Sequence, residues 1–279
     1  MKTAVLFPGQ GSQKVGMGSD LFDQFPEYEK KADEILGYSI RELCLEDAAG
    51  KLNVTSHTQP ALFVVSALAY LDWKQKGGVA SFAAGHSVGE YAALFAAGSI
   101  DFETGLRWVQ KRGELMATVS GGGMAAVVGM SVDKIKEVLD QVKADTIDVA
   151  NYNAPEQTVI SGPAEDIARW ESAFKEAGAK MYAILAVSGA FHSRYMKSSS
   201  DQFADFISTS TVKVPEFPVI SNVEALPYTS GDSIKELLVK QIYSSVRWTE
   251  SVLYLRSQGV EDYIELGSGV VLTRLLKKI

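Results

Sequence analysis

Hydrophobic and polar positions alternate along this chain in blocks that predict a parallel α/β architecture. The first block, Thr3-Ala4-Val5-Leu6-Phe7, is a short apolar run cut off by Pro8-Gly9, the pattern of a buried strand. A glycine-rich turn (Gly9, Gly11) and an amphipathic helical stretch from Met17 to about Leu36 follow. A second helix is predicted from Thr58, taken as N-cap with Pro60 in the first turn, to about Lys76, where Gly77-Gly78 ends it. Val79 to Ala84 reads as another buried strand, followed by Gly85-His86-Ser87-Val88-Gly89 and a helical run from Glu90 to Ala97. Helix, strand, tight turn and helix in this order imply a parallel sheet.

The rhythm changes after Gly121-Gly122-Gly123. A strand at 124–128, a helix at 132–142, strands at 147–152 and 158–161, a helix at 164–177 and a strand at 180–187 make a strand-helix-strand-strand-helix-strand unit. That order is ferredoxin-like. It predicts a small domain over residues 122–189, inserted between glycine-containing hinges, the second at Ser188-Gly189. The segments 1–121 and 190–279 then form one catalytic domain. Its second part carries helices near 193–207, 234–243 and 249–258 and strands at 217–221 and 262–266.

Composition narrows the function classes. The 279 residues carry 27 Lys+Arg against 34 Asp+Glu, a net charge of −7, with no basic cluster, which argues against a nucleic-acid partner. A chain this long buries roughly three-quarters of its unfolded surface, enough for a full core. One cysteine, Cys44, rules out an intrachain disulfide and suits a reducing cytoplasm. The longest apolar run, Ala61 to Leu71, is about half of what a bilayer-spanning helix needs, so no membrane association is expected. Three histidines, His57, His86 and His192, lie far apart in sequence, and no metal-site spacing occurs.

The most informative motif is Gly85-His86-Ser87-Val88-Gly89 between a predicted strand and a predicted helix. Such an elbow needs small residues two positions either side of the serine, because the strained turn brings backbone close. Its alternative is a plain tight turn. A serine needs a base. His86 adjoins it and should point elsewhere, as a structural residue, and His57 sits in a polar stretch. His192 remains, against the alternative of a satisfied core histidine. No Asp or Glu is nominated as its orienting partner. If the first strand and the strand before Ser87 are parallel, Gln10 lies at the same sheet edge and offers a second backbone N–H, beside that of Val88, to an oxyanion. On spacing alone, Gln110-Lys111-Arg112-Gly113-Glu114 fits a solvated charged face better than a ligand site.

Six blocks occur in a recognisable order: Phe7-Pro8-Gly9-Gln10-Gly11-Ser12-Gln13, Thr58-Gln59-Pro60-Ala61, Gly85-His86-Ser87-Val88-Gly89-Glu90-Tyr91, Arg112-Gly113, Ala190-Phe191-His192 and Val246-Arg247-Trp248. Together they resemble the malonyl-CoA:acyl carrier protein transacylase family from end to end. Further segments, Gly37-Tyr38-Ser39-Ile40 and Val187 to Met196 among them, resemble the discrete trans-acting acyltransferases of polyketide synthases.

The resemblance implies an α/β-hydrolase-like large domain with a ferredoxin-like small one. It implies Ser87 as nucleophile, His192 as base, backbone N–H groups of Gln10 and Val88 as oxyanion donors, and Arg112 as clamp for the malonyl carboxylate. It places a histidine-orienting main-chain carbonyl at Arg247 and makes Phe191 a specificity residue, since Ala-Phe-His accompanies malonyl use and Ala-Ser-His methylmalonyl use. Ser244-Ser245 departs from the family's Asn-Pro or Ser-Pro, and Gly267-Ser268-Gly269 lacks its central Pro or His.

The implied substrate is malonyl-CoA, and the implied acceptor is the phosphopantetheine thiol of an acyl carrier protein or carrier domain. No tightly bound cofactor or metal is implied, and a cytoplasmic monomer is expected. Arg194 and Lys197 are the candidate docking cations. Alternatives are the housekeeping transacylase of fatty-acid synthesis, an acyl-thioester hydrolase and an inactive docking subunit.

Overall fold

The computed structural model describes residues 2–279. Eight strands run in chain order: β1 (Lys2–Phe7), β2 (Phe82–Gly85), β3 (Gly122–Val128), β4 (Asp148–Ala154), β5 (Gln157–Pro163), β6 (Met181–Ile184), β7 (Val219–Ile220) and β8 (Val260–Glu265). They form two sheets. One is parallel, in the order β7-β2-β1-β8, and the other is antiparallel, in the order β4-β5-β3-β6. The chain is thus α/β, with a parallel sheet plus a small antiparallel one.

The central strands explain their own apolar runs. Val5, Phe7 and Ala83 face one core, while Ala4, Leu6, Phe82 and Ala84 face another on the opposite side of the sheet. A parallel strand covered on both faces has no polar side to alternate with, so it reads as continuous hydrophobics. The small sheet buries Ala125, Val127, Ile160 and Tyr182 against its own helices. From its other face, Met124, Ala150 and Val159 join the main core. The small sheet is also tied to the segment before the helix Trp248–Ser257: Tyr152 N–H donates to the Val246 carbonyl (2.9 Å) and Val246 N–H to that of Ala150 (2.8 Å).

Several local expectations need correction. The stretch from Met17 to Leu36 is two helices, Ser19–Gln24 and Pro26–Leu36, because Pro26 cannot continue a helix through Phe25. The helix expected at 164–177 likewise breaks at Trp170 into Ala164–Arg169 and Glu171–Glu176. Short helices at Ile40–Leu45 and Val271–Leu276 had no sequence counterpart. Thr58 is not an N-cap: the long buried helix runs Thr55–Gln75 with Val54 as N-cap, and the Thr58 hydroxyl donates to the Leu52 carbonyl (2.6 Å). No helix among the described residues is long and apolar enough to cross a membrane, and no three His, Cys, Asp or Glu cluster to hold a metal.

Both predicted hinges lie side by side. A Cβ at Gly122 would sit 2.2 Å from the Ala190 nitrogen, so the chain leaves for the small sheet and returns through one narrow point. The ends of β1 and β2 are equally tight. Phe7 and Gly85 are register partners, and a Cβ at Gly89 would fall 2.1 Å from the Phe7 carbonyl oxygen, while one at Gly85 would fall 2.0 Å from Gly89 backbone.

These contacts rank two glycine substitutions. Gly37→Ala, at a helix C-terminus with φ +77° and no atom near the new methyl, should cost about 1–2 kcal/mol, a Tm decrease of a few degrees. Gly89→Ala meets rigid backbone and should cost about 3 kcal/mol or more. Thermal unfolding of the two variants checks the order; equal shifts would contradict it.

Candidate active site

Ser87 sits at the tip of the turn between β2 and the helix Gly89–Ala96, with φ +52°. A non-glycine residue in this left-handed region is strained and persists only when its surroundings hold it there. Here the Ser87 N–H donates to Asn222 Oδ1 (2.7 Å), and the Ser87 carbonyl accepts from Gln241 Nε2 (2.9 Å). The hydroxyl projects toward His192, and Ser87 Oγ lies 2.8 Å from His192 Nε2. His192 is itself at φ +56°, just past the second hinge.

The tautomer follows from the partners. His192 Nδ1 lies 2.8 Å from the Gln241 main-chain oxygen, which can only accept, so Nδ1 carries the proton and Nε2 is free to accept from the serine. Burial and the neighbouring Arg112 charge push the His192 pKa down to about 3, so the imidazole is neutral with Nε2 unprotonated.

This corrects the assignment of Arg247. Its carbonyl instead accepts from Ser251 N–H (3.0 Å) and Ser251 Oγ (2.9 Å), and its guanidinium pairs with Glu250. Gln241 ends the helix Gly231–Gln241, and carbonyls of a last turn lack intrahelical partners, so this one is available to the histidine. Arg247 starts the next helix, where the carbonyl is consumed inside it.

Arg112, which spacing alone assigned to a solvated face, is 1% exposed. It lies on the inner side of the helix Phe102–Ala117. One terminal nitrogen donates to Gln59 Oε1 (2.6 Å), and the other to Gln241 Oε1 (2.8 Å) and Ser87 Oγ (3.0 Å). The guanidinium packs 5.6 Å from the Tyr91 ring centre. Every direct partner is neutral. Burial lowers the Arg112 pKa from its ordinary value, with Tyr91 and Glu90 opposing the shift, but a guanidinium remains charged.

A cavity of about 90 Å³ collects Gln10, Ser87, Val88, Arg112, Phe191 and His192. All the predicted site residues except Arg247 therefore converge on one place. Phe191 is 6% exposed and forms part of the wall. A wider groove of about 680 Å³ reaches His192 from the side of β4, past Arg194, Tyr243 and Ser244. Gln59, Asn222 and Gln241 escaped sequence reasoning. Gln59 lay inside the Thr58-Gln59-Pro60-Ala61 block without an assigned task, whereas nothing near Gln241 or Asn222 marked them.

The other histidines are elsewhere engaged. His86 Nε2 pairs with Asn153 Oδ1 (2.8 Å) on β4, turning its ring away from the serine hydroxyl as expected of a structural residue. His57 stacks on Tyr38 and does not line the cavity. Of the candidate docking cations, Arg194 is held by Asp148 (2.5 Å) and Lys197 pairs with Asp201.

The sequence and the architecture both have counterparts among known proteins. A protein of Bacillus subtilis named polyketide biosynthesis malonyl CoA-acyl carrier protein transacylase PksC is 50% identical over 276 residues, 98% of this chain and 96% of that protein. The polyketide biosynthesis protein ThaF of Burkholderia thailandensis is also 50% identical over 277 residues, but this chain spans only 24% of its length. A solved complex described as a type II polyketide synthase acyl-carrier protein with its malonyl-transacylase superposes with a TM-score of 0.95 at 39% identity, covering 100% of this chain and 93% of that one. The family profile described as acyl transferase domain matches residues 5–278, and the chain belongs to that family, alongside proteins named malonyl CoA-acyl carrier protein transacylases.

Proposed function

We propose that this protein moves a malonyl group from malonyl-CoA, through an ester on Ser87, to the phosphopantetheine thiol of an acyl carrier protein, in supply of a polyketide synthase. The observation that carries this reading is the Arg112 guanidinium, buried among neutral oxygens 3.0 Å from Ser87 Oγ. A cation in that position favours an acyl group ending in a carboxylate. Arginine's planar fork gives such a group two parallel hydrogen bonds and stays charged throughout.

In the first half-reaction His192 Nε2 takes the Ser87 proton as Oγ bonds to the thioester carbonyl carbon. The negative charge on the former carbonyl oxygen is met by the backbone N–H groups of Gln10 and Val88. The carbon–sulfur bond breaks, and coenzyme A leaves with the proton from His192. In the second half-reaction the carrier's thiol gives its proton to His192 and attacks the ester, and Ser87 recovers its own. The wide groove beside Arg194 and Tyr243 suits the pantetheine arm, which must bring sulfur to His192 from outside.

No tightly bound cofactor takes part, one chain supplies every group, which fits a monomer, and the single cysteine, Cys44, suits a cytoplasmic setting. The sheets divide the labour. Residues 1–121 and 190–279 act as an α/β-hydrolase-like catalytic domain, and residues 122–189 as a ferredoxin-like lobe closing over it. The strand membership supports this division, since all four antiparallel strands come from 122–184.

A hydrolase of neutral acyl chains gains nothing from Arg112, and a cavity of about 90 Å³, the share of roughly three waters, suits a short acyl group. An inactive docking subunit has no need of a serine held 2.8 Å from a neutral imidazole. The pathway reading leans on the polyketide names of relatives at 50% identity.

Intact-mass spectrometry after incubation with malonyl-CoA should show a malonyl adduct that disappears on adding holo carrier protein. Ser87→Ala should show none, and release of free malonate faster than transfer would favour the hydrolase. Under the same assay Arg112→Ala should lose malonyl loading about 10- to 100-fold, the value of a charge-assisted bond, while sparing acetyl loading. Equal loss of both acyl groups would remove the clamp.

Phe191 crowds the space beside the base. Phe191→Ser should raise methylmalonyl use relative to malonyl about tenfold, because one methyl in a pocket is worth ~1–3 kcal/mol. An unchanged ratio refutes its role.

The protonation state of His192 can be read directly. With its pKa far below the ordinary histidine value, the ring should stay neutral between pH 7.5 and pH 5.5, seen as an unchanged His192 ring signal by NMR. A midpoint near 6.5 would mean that the imidazole titrates like an exposed one.

A further inference from the structure

Beneath the three reacting groups lies a carboxylate that touches none of them. Glu90 is fully buried, in the first turn of the helix Gly89–Ala96, where the helix dipole favours an anion. Its two oxygens serve different partners. Oε2 accepts from Gln241 Nε2 at 2.5 Å. Oε1 accepts from the Asn222 N–H at 3.1 Å and from the Tyr228 hydroxyl.

Two of these partners connect directly to the site. Gln241 accepts from Arg112 through its side-chain oxygen (2.8 Å) and from His192 Nδ1 through its main-chain oxygen (2.8 Å). Asn222 accepts from the Ser87 N–H through Oδ1 (2.7 Å) and donates through Nδ2 to the Gly85 carbonyl (2.7 Å). Nucleophile, base and cation are each one residue away from a single carboxylate.

The chemistry of amides makes this placement consequential. An amide has an accepting end and a donating end, and only one orientation of Gln241 suits Arg112. With Glu90 and the Ser87 carbonyl both accepting, the NH2 group is fully used and the oxygen is left facing the guanidinium. A flip would set NH2 against a cation and oxygen against a carboxylate. Asn222 is fixed at its backbone by the other carboxylate oxygen. In its ionised form Glu90 also offsets the Arg112 charge without covering its donors. Burial raises the Glu90 pKa to about 7, and its three donors and Arg112 pull the other way.

We propose that Glu90 is a positioning residue for acyl transfer: its carboxylate locks the Gln241 amide and the Asn222 backbone so that His192, Arg112 and Ser87 are held in mutual register. The malonyl arm of this inference rests on the function proposed above; the serine arm does not.

The test uses the full chain and two readouts. One is the rate at which a fluorophosphonate labels Ser87, which needs the serine–histidine pair and no malonyl group. The other is the ratio of malonyl to acetyl loading. Glu90→Gln keeps the shape but puts a donor where an acceptor was, so labelling should slow about tenfold and the loading ratio should fall about tenfold. Glu90→Asp, which keeps the charge, should recover part of both.

A folded Glu90→Gln with wild-type labelling and wild-type ratio overturns the proposal. Should that variant not fold, Tyr228→Phe removes one donor to the carboxylate and leaves Gln241 and Asn222 in place. It should slow labelling about 2- to 5-fold, and no change overturns the proposal equally. If the wild-type protein takes the label but no malonyl group, the function proposed above fails while the labelling arm still judges Glu90.

Discussion

A guanidinium sealed beside a serine hydroxyl, with no carboxylate in contact, sets the terms for the structure around it. Taking a charge out of water is expensive unless hydrogen bonds replace the lost solvation. A contacting Asp or Glu would meet that demand but would also occupy the fork that a ligand's carboxylate needs. The protein uses the amide oxygens of Gln59 and Gln241, the serine hydroxyl and the face of Tyr91, and keeps its negative charge one residue back at Glu90. Amide dipoles orient the cation without cancelling it. That choice explains why three helices, Thr55–Gln75, Phe102–Ala117 and Gly231–Gln241, each send a polar side chain into an otherwise apolar interior.

The same region concentrates backbone strain. Ser87 and His192, whose side chains meet at 2.8 Å, both occupy the left-handed region without being glycine. Neither could stay there alone. Ser87 is pinned at its nitrogen by Asn222 and at its carbonyl by Gln241, and glycines at 85 and 89 let the turn approach Phe7 closely enough to form at all. His192 is pinned at Nδ1 and follows directly on the point where the small sheet rejoins the large one. The register of β1 against β2 thus bears on where the Ser87 hydroxyl sits, and the close approach of Gly122 to Ala190 bears on where His192 sits.

Much of this was legible in the sequence wherever the signal was local. The Gly-x-Ser-x-Gly turn between strand and helix and the strand-helix-strand-strand-helix-strand order after Gly121 depend on neighbours within a few residues. What failed depended on the chain's other parts. Arg112 looked solvated because its helix shows charges at 110–114, and only the packing of Phe102–Ala117 against Thr55–Gln75 decides which of them faces inward. Thr58 looked like a cap because capping residues are common there, but Thr55 already begins the helix and Thr58 serves the Leu52 carbonyl instead. Family resemblance gave the right kind of group for orienting His192, a main-chain carbonyl, and the wrong residue. A carbonyl has no side-chain signature, and only the end of a helix reveals which one is unpaired.

That carbonyl changes the electrostatics of the base in a way an acid would not. An aspartate behind the histidine would add a full negative charge and raise the imidazole's affinity for a proton. The Gln241 oxygen contributes a dipole at the negative end of a helix, a weaker effect that Arg112 nearby opposes. The resting imidazole therefore stays neutral. In the proposed reaction the serine hydroxyl and the carrier's thiol would each meet Nε2 as an acceptor, with the Gln241 oxygen fixing the Nδ1 proton on the far side of the ring in both half-reactions.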